Sequence, residues 1–206
     1  MGNVTKDDIL AFYESGIFRR ELKNTVDKAA ERAYRDLCRT IDFPDEWNAK
    51  TRTEGKLKGY DELREQIGRL NAHSQGEYDE WLKSTSTELT KIYGDFFHFG
   101  HAQKWINMTM KYLLCFGFQN AVDHEQYLHA PVDTYVVEAA FNEYKISKEG
   151  LLPWSKIGCE GQKEELYFKF QEALKNAVES KYGSAIKWEF SAWSNYEKRK
   201  RLRVDA

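Results

Sequence analysis

A lysine and an aspartate 29 positions apart carry the chemistry this sequence offers. Lys104 lies in Gly100-His101-Ala102-Gln103-Lys104, at the mouth of a strongly apolar helical run, and Asp133 lies in Pro131-Val132-Asp133, where the next helical pattern begins. A lysine ammonium is a poor nucleophile until it loses its proton, and desolvation and the positive end of a helix dipole both favour the neutral amine. A carboxylate opposite can stabilise a developing cation or move protons. The separation accommodates one helix, one turn and a return to the same end, so the two side chains can share a cleft. Each residue also has a plain reading. Lys104 can be a solvated first-turn lysine, and Asp133 an N-cap, which Asp favours ahead of an apolar run. Capping and catalysis do not exclude one another.

Other reactive side chains point less sharply. His98, His101, His124 and His129 crowd one region, but their spacing fits no dense ligand pattern, so no metal is expected. Cys38, Cys115 and Cys159 are odd in number and far apart, with no Cys-x-x-Cys. They suggest neither a disulfide framework nor a zinc or iron–sulfur site, and a reducing cytoplasm is the default. Lys104, Asn107 and Lys111 share a helical stripe that reads as the polar side of a helix bordering a cleft. The tail from 198 to 206 holds Lys198, Arg199, Lys200, Arg201 and Arg203, readable as a solvated end or as a phosphate contact.

The elements that must position the pair are helical. The first 45 residues read as helix, with Ala29, Ala33, Leu37 and Ile41 as a buried stripe closed by Pro44. The polar, glycine-containing stretch 48–59 is expected to be a mobile loop. Helical periodicity returns with Tyr60, Leu63, Ile67 and Leu70, and again from Tyr78 through Leu89 to about Tyr93. A compact connection follows, with Gly94 and Gly100 as positions that permit positive φ. The run Trp105 to Phe116 is apolar almost all round, as a central buried helix would be. A helix is expected from Asp133 to about Tyr144, and another over Leu166 to Val178 that stops near Gly183. Ile186, Trp188 and Phe190 alternate with polar residues, which predicts a short extended segment. These patterns predict a single all-α domain over 1–206.

Composition agrees with that class. The 206 residues include 12 Phe, 12 Tyr and 6 Trp, enough for a sizeable aromatic core, and only 3 Pro, which leaves room for long helices. No apolar run reaches membrane-spanning length, so no membrane partner is expected. The start Met1-Gly2-Asn3-Val4-Thr5-Lys6 lacks the hydroxyl at position six of a myristoylation signal, and no secretory pattern follows it. A net charge of −2 argues against strong, sequence-independent nucleic-acid binding over the whole surface.

In order along the chain, Ala102-Gln103-Lys104, the apolar helix with Lys111 seven residues on, and Pro131-Val132-Asp133 resemble the helix–hairpin–helix (HhH-GPD) DNA glycosylases. They look most like the archaeal 8-oxoguanine glycosylase branch. The resemblance covers roughly 93–144, with 93–103 as the hairpin. It implies an enzyme that flips a damaged or modified base out of DNA. Lys104 would attack the sugar C1′, assisted by Asp133, with a Schiff base that permits strand β-elimination and no cofactor. It further implies DNA as the partner, a monomer, and a place beside the nucleoid in base-excision repair, or in defence against modified phage DNA. Gln103 would then cap its helix start or hydrogen-bond the flipped base, and His101 would touch DNA or substrate. Asn107 and Lys111 would border the cleft. Trp154, or one of Trp105, Trp188 and Trp193, would stack on a base. The usual Leu-Pro-Gly-Val-Gly hairpin is replaced by Phe96-Phe97-His98-Phe99-Gly100, which leaves phosphate to the backbone N–H groups near Gly100 and His101. The rival expectation is a catalytically silent helical module that binds DNA or a protein.

Overall fold

A computed structural model describes residues 24–159 and 164–204, with side chains through 195. All regular elements among the described residues are helices, with no strand among them. The first is α1, Thr25–Leu37, capped by Asn24, whose side chain accepts from the backbone N–H groups of Val26 and Asp27. Its expected stripe is buried, with Ala29, Ala33 and Leu37 fully enclosed and Ile41 just beyond the helix end. The stretch expected as a loop at 48–59 is instead the beginning of α2, Ala49–Arg69, capped by Asn48. Its two glycines are packing positions rather than chain-breakers. A Cβ at Gly55 would lie 2.8 Å from the Trp47 ring, and one at Gly59 only 2.2 Å from the Trp105 ring. Close aromatic contact therefore outweighs the low helix propensity of glycine here.

Helix α3, Gln75–Tyr93, is capped by Ser74 and ends at Gly94, whose φ of 86° lets the chain reverse. The connection to α4, Phe99–Cys115, is therefore short, and the stretch expected as hairpin through 103 is already helical from Phe99. Only Tyr112, Leu114 and Cys115 of α4 fall outside the buried class, as expected for a central helix. It packs chiefly on α1 and α3. Trp105 anchors this core. Its indole N–H donates to the Ala30 carbonyl at 2.9 Å, and its ring meets those of Tyr34, Tyr60, Tyr93 and Phe97.

The short α5, Gln119–Asp123, leads through a 3₁₀ turn and an extended stretch to α6, Thr134–Tyr144. Asp133 is its N-cap, accepting from the Val136 N–H at 2.8 Å. A 3₁₀ turn, Trp154–Lys156, then packs against the start of α4, and α7, Glu164–Tyr182, runs to Gly183. The extended segment expected at Ile186 to Phe190 is part of α8, Ala185–Val204. Its alternation misleads because Trp188 and Glu189 are both buried, against Tyr144 and Glu143 of α6 and against Lys111 of α4. No helix among the described residues is long and apolar enough to cross a membrane. The expectations for the first 23 residues lie outside the described residues, as do the side chains of the basic tail.

Candidate active site

Lys104 and Asp133 meet. Lys104 Nζ lies 2.5 Å from Asp133 Oδ2, with the lysine side chain 6% exposed and the aspartate 29%. The plain reading of Lys104 as solvated fails, because α4 is enclosed even at its first turns. Asp133 does both of its expected jobs, since Oδ1 caps α6 while Oδ2 holds the ammonium. Asp133 stands at the N-terminus of α6, where the backbone dipole favours its carboxylate, whereas Lys104 is already in the second turn of α4. The Trp154 ring covers the amine from the third side, its centroid 5.9 Å from Nζ.

Gln103 fixes the register between the two halves of the site. It is fully buried, and its amide nitrogen donates to the carbonyls of Gly100 and Val132 at 3.0 and 2.9 Å. Its oxygen accepts from the Val132 N–H and from Asn107 Nδ2, both at 3.2 Å. One side chain thus clamps the peptide that precedes Asp133. This corrects the expectation that Gln103 reads a flipped base: its hydrogen-bonding atoms are already engaged inside the protein. Asn107 is buried as well and continues inward, donating to the Tyr167 hydroxyl at 2.8 Å, so it too faces the interior.

The expected phosphate site at the start of α4 is also corrected. The Gly100 N–H donates to the Ile157 carbonyl at 2.8 Å, and the N–H groups of His101 and Ala102 donate to the His98 carbonyl. Gly100 is glycine because the Trp154 carbonyl presses on it; a Cβ there would approach that oxygen to 2.0 Å. His101 is 1% exposed. Its Nδ1 accepts from the His98 N–H at 3.1 Å, which makes Nε2 the protonated nitrogen, donating to the Thr40 carbonyl at 3.1 Å. Burial, above all, lowers its pKa from 6.5 to about 4. It braces the turn rather than reaching a ligand.

Lys111 has a partner the sequence did not reveal. Its Nζ lies 2.8 Å from Oε1 and 2.6 Å from Oε2 of Glu189, beneath the rings of Phe190 and Trp193. Burial pushes the Glu189 carboxyl above the usual carboxylate range; Lys111 opposes this, Lys104 opposes it more weakly, and Asp133 adds to it. The two lysine–carboxylate pairs therefore feel each other's fields. Glu189 was hidden by the strand-like alternation around it; only its burial on α8 reveals it. Trp105 and Trp188 are fully buried core residues, whereas Trp193 is 51% exposed.

The remaining histidines are used structurally. His124 accepts from the Ala72 N–H, and His129 lies between Asp79, at 3.0 Å, and the Tyr167 hydroxyl, at 2.9 Å. Among the described residues no three His, Cys, Asp or Glu side chains gather as metal ligands would. A cavity of about 310 Å³ opens beside His129, walled by Leu128, Phe168 and Gln171, and includes neither Lys104 nor Asp133. Compared with protein-family models, curated proteins and solved structures, the chain matches none.

Proposed function

We propose that the protein is a DNA glycosylase with an associated lyase step, excising a damaged or modified base in repair or in defence against modified phage DNA. The observation that supports this reading is the 2.5 Å approach of the Lys104 amine, in the second turn of α4, to the Asp133 carboxylate at the start of α6, under an aromatic cover. The ammonium proton passes to Asp133 Oδ2, and the neutral amine attacks C1′ of an extruded nucleotide. The C1′–N bond breaks, and the base leaves with the electron pair and takes up a proton from the Asp133 carboxyl. Opening of the sugar ring breaks C1′–O4′; the C1′-bound Lys104 nitrogen gives up a proton, which O4′ takes up, as the protonated C1′=N Schiff base forms. Loss of a C2′ proton then expels the 3′-phosphate. Trp154 must move for the nucleotide to enter; the backbone hydrogen bond from the Gly100 N–H to the Ile157 carbonyl ties its turn to the first turn of α4.

The test is borohydride trapping on a panel of duplexes, each carrying one oxidised, alkylated or bulky modified base. The expected result is a reduced adduct on at least one duplex, located at Lys104 by mass spectrometry and absent from Lys104→Gln. Asp133→Asn keeps the helix cap, because Asn caps as well as Asp, and loses the charge. It is expected to slow trapping by roughly 10²-fold or more. Absence of adduct and base release across the panel, with Lys104→Gln unchanged from wild type, would sink the proposal.

A second reading has one observation in its favour: Lys104 is 5% exposed, as a lysine that merely ties α4 to α6 would be. A silent helical binding module would then shift unmodified DNA or bind a protein, with no product and no dependence on Lys104.

A further inference from the structure

The cavity beside His129 has a buried polar floor, and an unbroken line of hydrogen bonds leads from that floor to the peptide ahead of Asp133. His129 Nε2 faces Asp79 Oδ1 at 3.0 Å and donates to it, so Nδ1 accepts from the Tyr167 hydroxyl at 2.9 Å. The Tyr167 oxygen accepts in turn from Asn107 Nδ2 at 2.8 Å, and the same amide donates to Gln103 Oε1 at 3.2 Å. Gln103 then holds both the N–H and the carbonyl of Val132. Every member from His129 to Gln103 is buried, and each bond fixes the direction of the next. Gln75 steadies the cavity end, donating to Asp79 Oδ1 and the Tyr127 carbonyl and accepting from Lys175. We propose that this cavity binds a free nucleobase, or a neutral heterocycle of the same kind, and that its occupancy is passed along the chain to Gln103. The proposal goes beyond the glycosylase reading and stands without it.

The lining selects that class. A volume of about 310 Å³ is at the small end for ligand pockets and suits one or two fused rings, not a whole nucleotide. Leu128 and Ala185 supply an apolar floor, and Phe168 an aromatic wall. The side-chain amides of Gln75 and Gln171 mix donors with acceptors, and the carboxylates of Asp79 and Glu172 are balanced by Lys169 and Lys175. A balanced rim has no excess of either sign to draw a phosphate or a metal ion. A flat neutral ring with donors and acceptors along one edge satisfies the amides and the aromatic wall together. Asp79 bonds Gln75 and His129 through Oδ1, which leaves Oδ2 to accept a ring N–H or an exocyclic amine. A ligand held there draws Asp79 away from His129, and the imidazole carries the change to Tyr167 and the bonds beyond it.

The experiment is a titration of the full chain, isotope-labelled in its His and Gln side chains, with adenine, hypoxanthine, cytosine and uracil, and separately with inorganic phosphate and with phenylalanine. NMR reads the His129 ring and the Gln103 amide. At least one base is expected to shift both along the same saturation curve, with a Kd of about 1 mM or tighter. Phe168→Leu removes the aromatic wall and should weaken that binding about tenfold. Tyr167→Phe cuts the chain, so His129 should still respond while Gln103 does not. Should Tyr167→Phe fail to fold by circular dichroism, Asn107→Ala makes the cut at the next link. The proposal is overturned by no saturable shift with any base, or by a stronger response to phosphate or phenylalanine than to the bases. It is equally overturned if His129 saturates with Gln103 unmoved, or if Gln103 still responds once the chain is cut. No DNA is present and Lys104 takes no part, so failure here and failure of the trapping panel are separate results.

Discussion

At the scale of single residues, the site is held by side chains whose hydrogen bonds permit only one protonation state. His101 is the clearest case. Its Nδ1 must accept from the His98 N–H, and its Nε2–H must donate to Thr40, so an imidazolium would set two N–H groups against each other. Its pKa falls to about 4 when folded, against an ordinary 6.5, because burial penalises the charge. The unfolded chain therefore binds more protons than the folded one between these values, and stability rises with pH across that window. The contribution is complete above about pH 6.5 and is lost as pH falls toward 4, a change of roughly 3 kcal/mol. Urea unfolding from pH 7 to 4 should show this slope. His101→Gln can accept from His98 and donate to Thr40 without titrating, so it should flatten the slope. An unchanged slope in that variant would assign the effect to other groups. The Lys104–Asp133 pair itself was legible from the sequence, because a lysine ahead of an apolar helical run and a Pro-Val-Asp opening the next helix are visible as residue types in order. Glu189 was not, because nothing local distinguishes a buried glutamate from a solvated one.

At the scale of elements, the start of α6 at Asp133 and the stop of α7 near Gly183 were legible, whereas the first turns of α2, α4 and α8 were not. Asn48 and Ser74 cap their helices by side-chain bonds, but neither was read as a cap from the sequence. The error at 48–59 came from treating Gly55 and Gly59 as breakers, when tertiary contact with Trp47 and Trp105 demands them. The error at Ile186 to Phe190 came from a short alternation that two buried faces of one helix can imitate. Both are cases in which packing between elements decides, and packing has no signature within a single window of sequence. The same logic makes Gly100 a sensitive position. Gly100→Ala drives a methyl into the Trp154 carbonyl, where the obstacle is backbone and not a flexible side chain. The expected cost is about 1–3 kcal/mol. The Trp154–Lys156 turn should also move off the first turn of α4, seen as faster hydrogen exchange at the Gly100 amide that Ile157 now holds. If exchange and stability both match the wild type, the turn is not seated as described.

At the scale of the whole molecule, the core and the candidate site are built on the same helix, facing opposite ways. Trp105 and Lys104 are neighbours on α4. One ring fills the space between α1, α2 and α3, and one amine faces α6 and the Trp154 turn. Stability can therefore be removed from behind without touching the Lys104–Asp133 pair. Trp105→Phe should leave the Ala30 carbonyl without its donor and a void against Gly59, costing roughly 2–3 kcal/mol. In a chain of this size that lowers the melting temperature by about 4–12 °C. Because Gln103 still clamps Val132, and Asp133 still caps α6, the Lys104–Asp133 geometry survives in every molecule that remains folded. Well below the new melting temperature, borohydride trapping at Lys104 should thus match wild type. Gln103→Leu should do the reverse. It leaves the Val132 N–H and carbonyl without partners in the interior, releases the peptide before Asp133, and lowers trapping at Lys104 along with stability. If Trp105→Phe disturbs Lys104 as much as Gln103→Leu does, the core and the site are one cooperative unit and α4 does not insulate them.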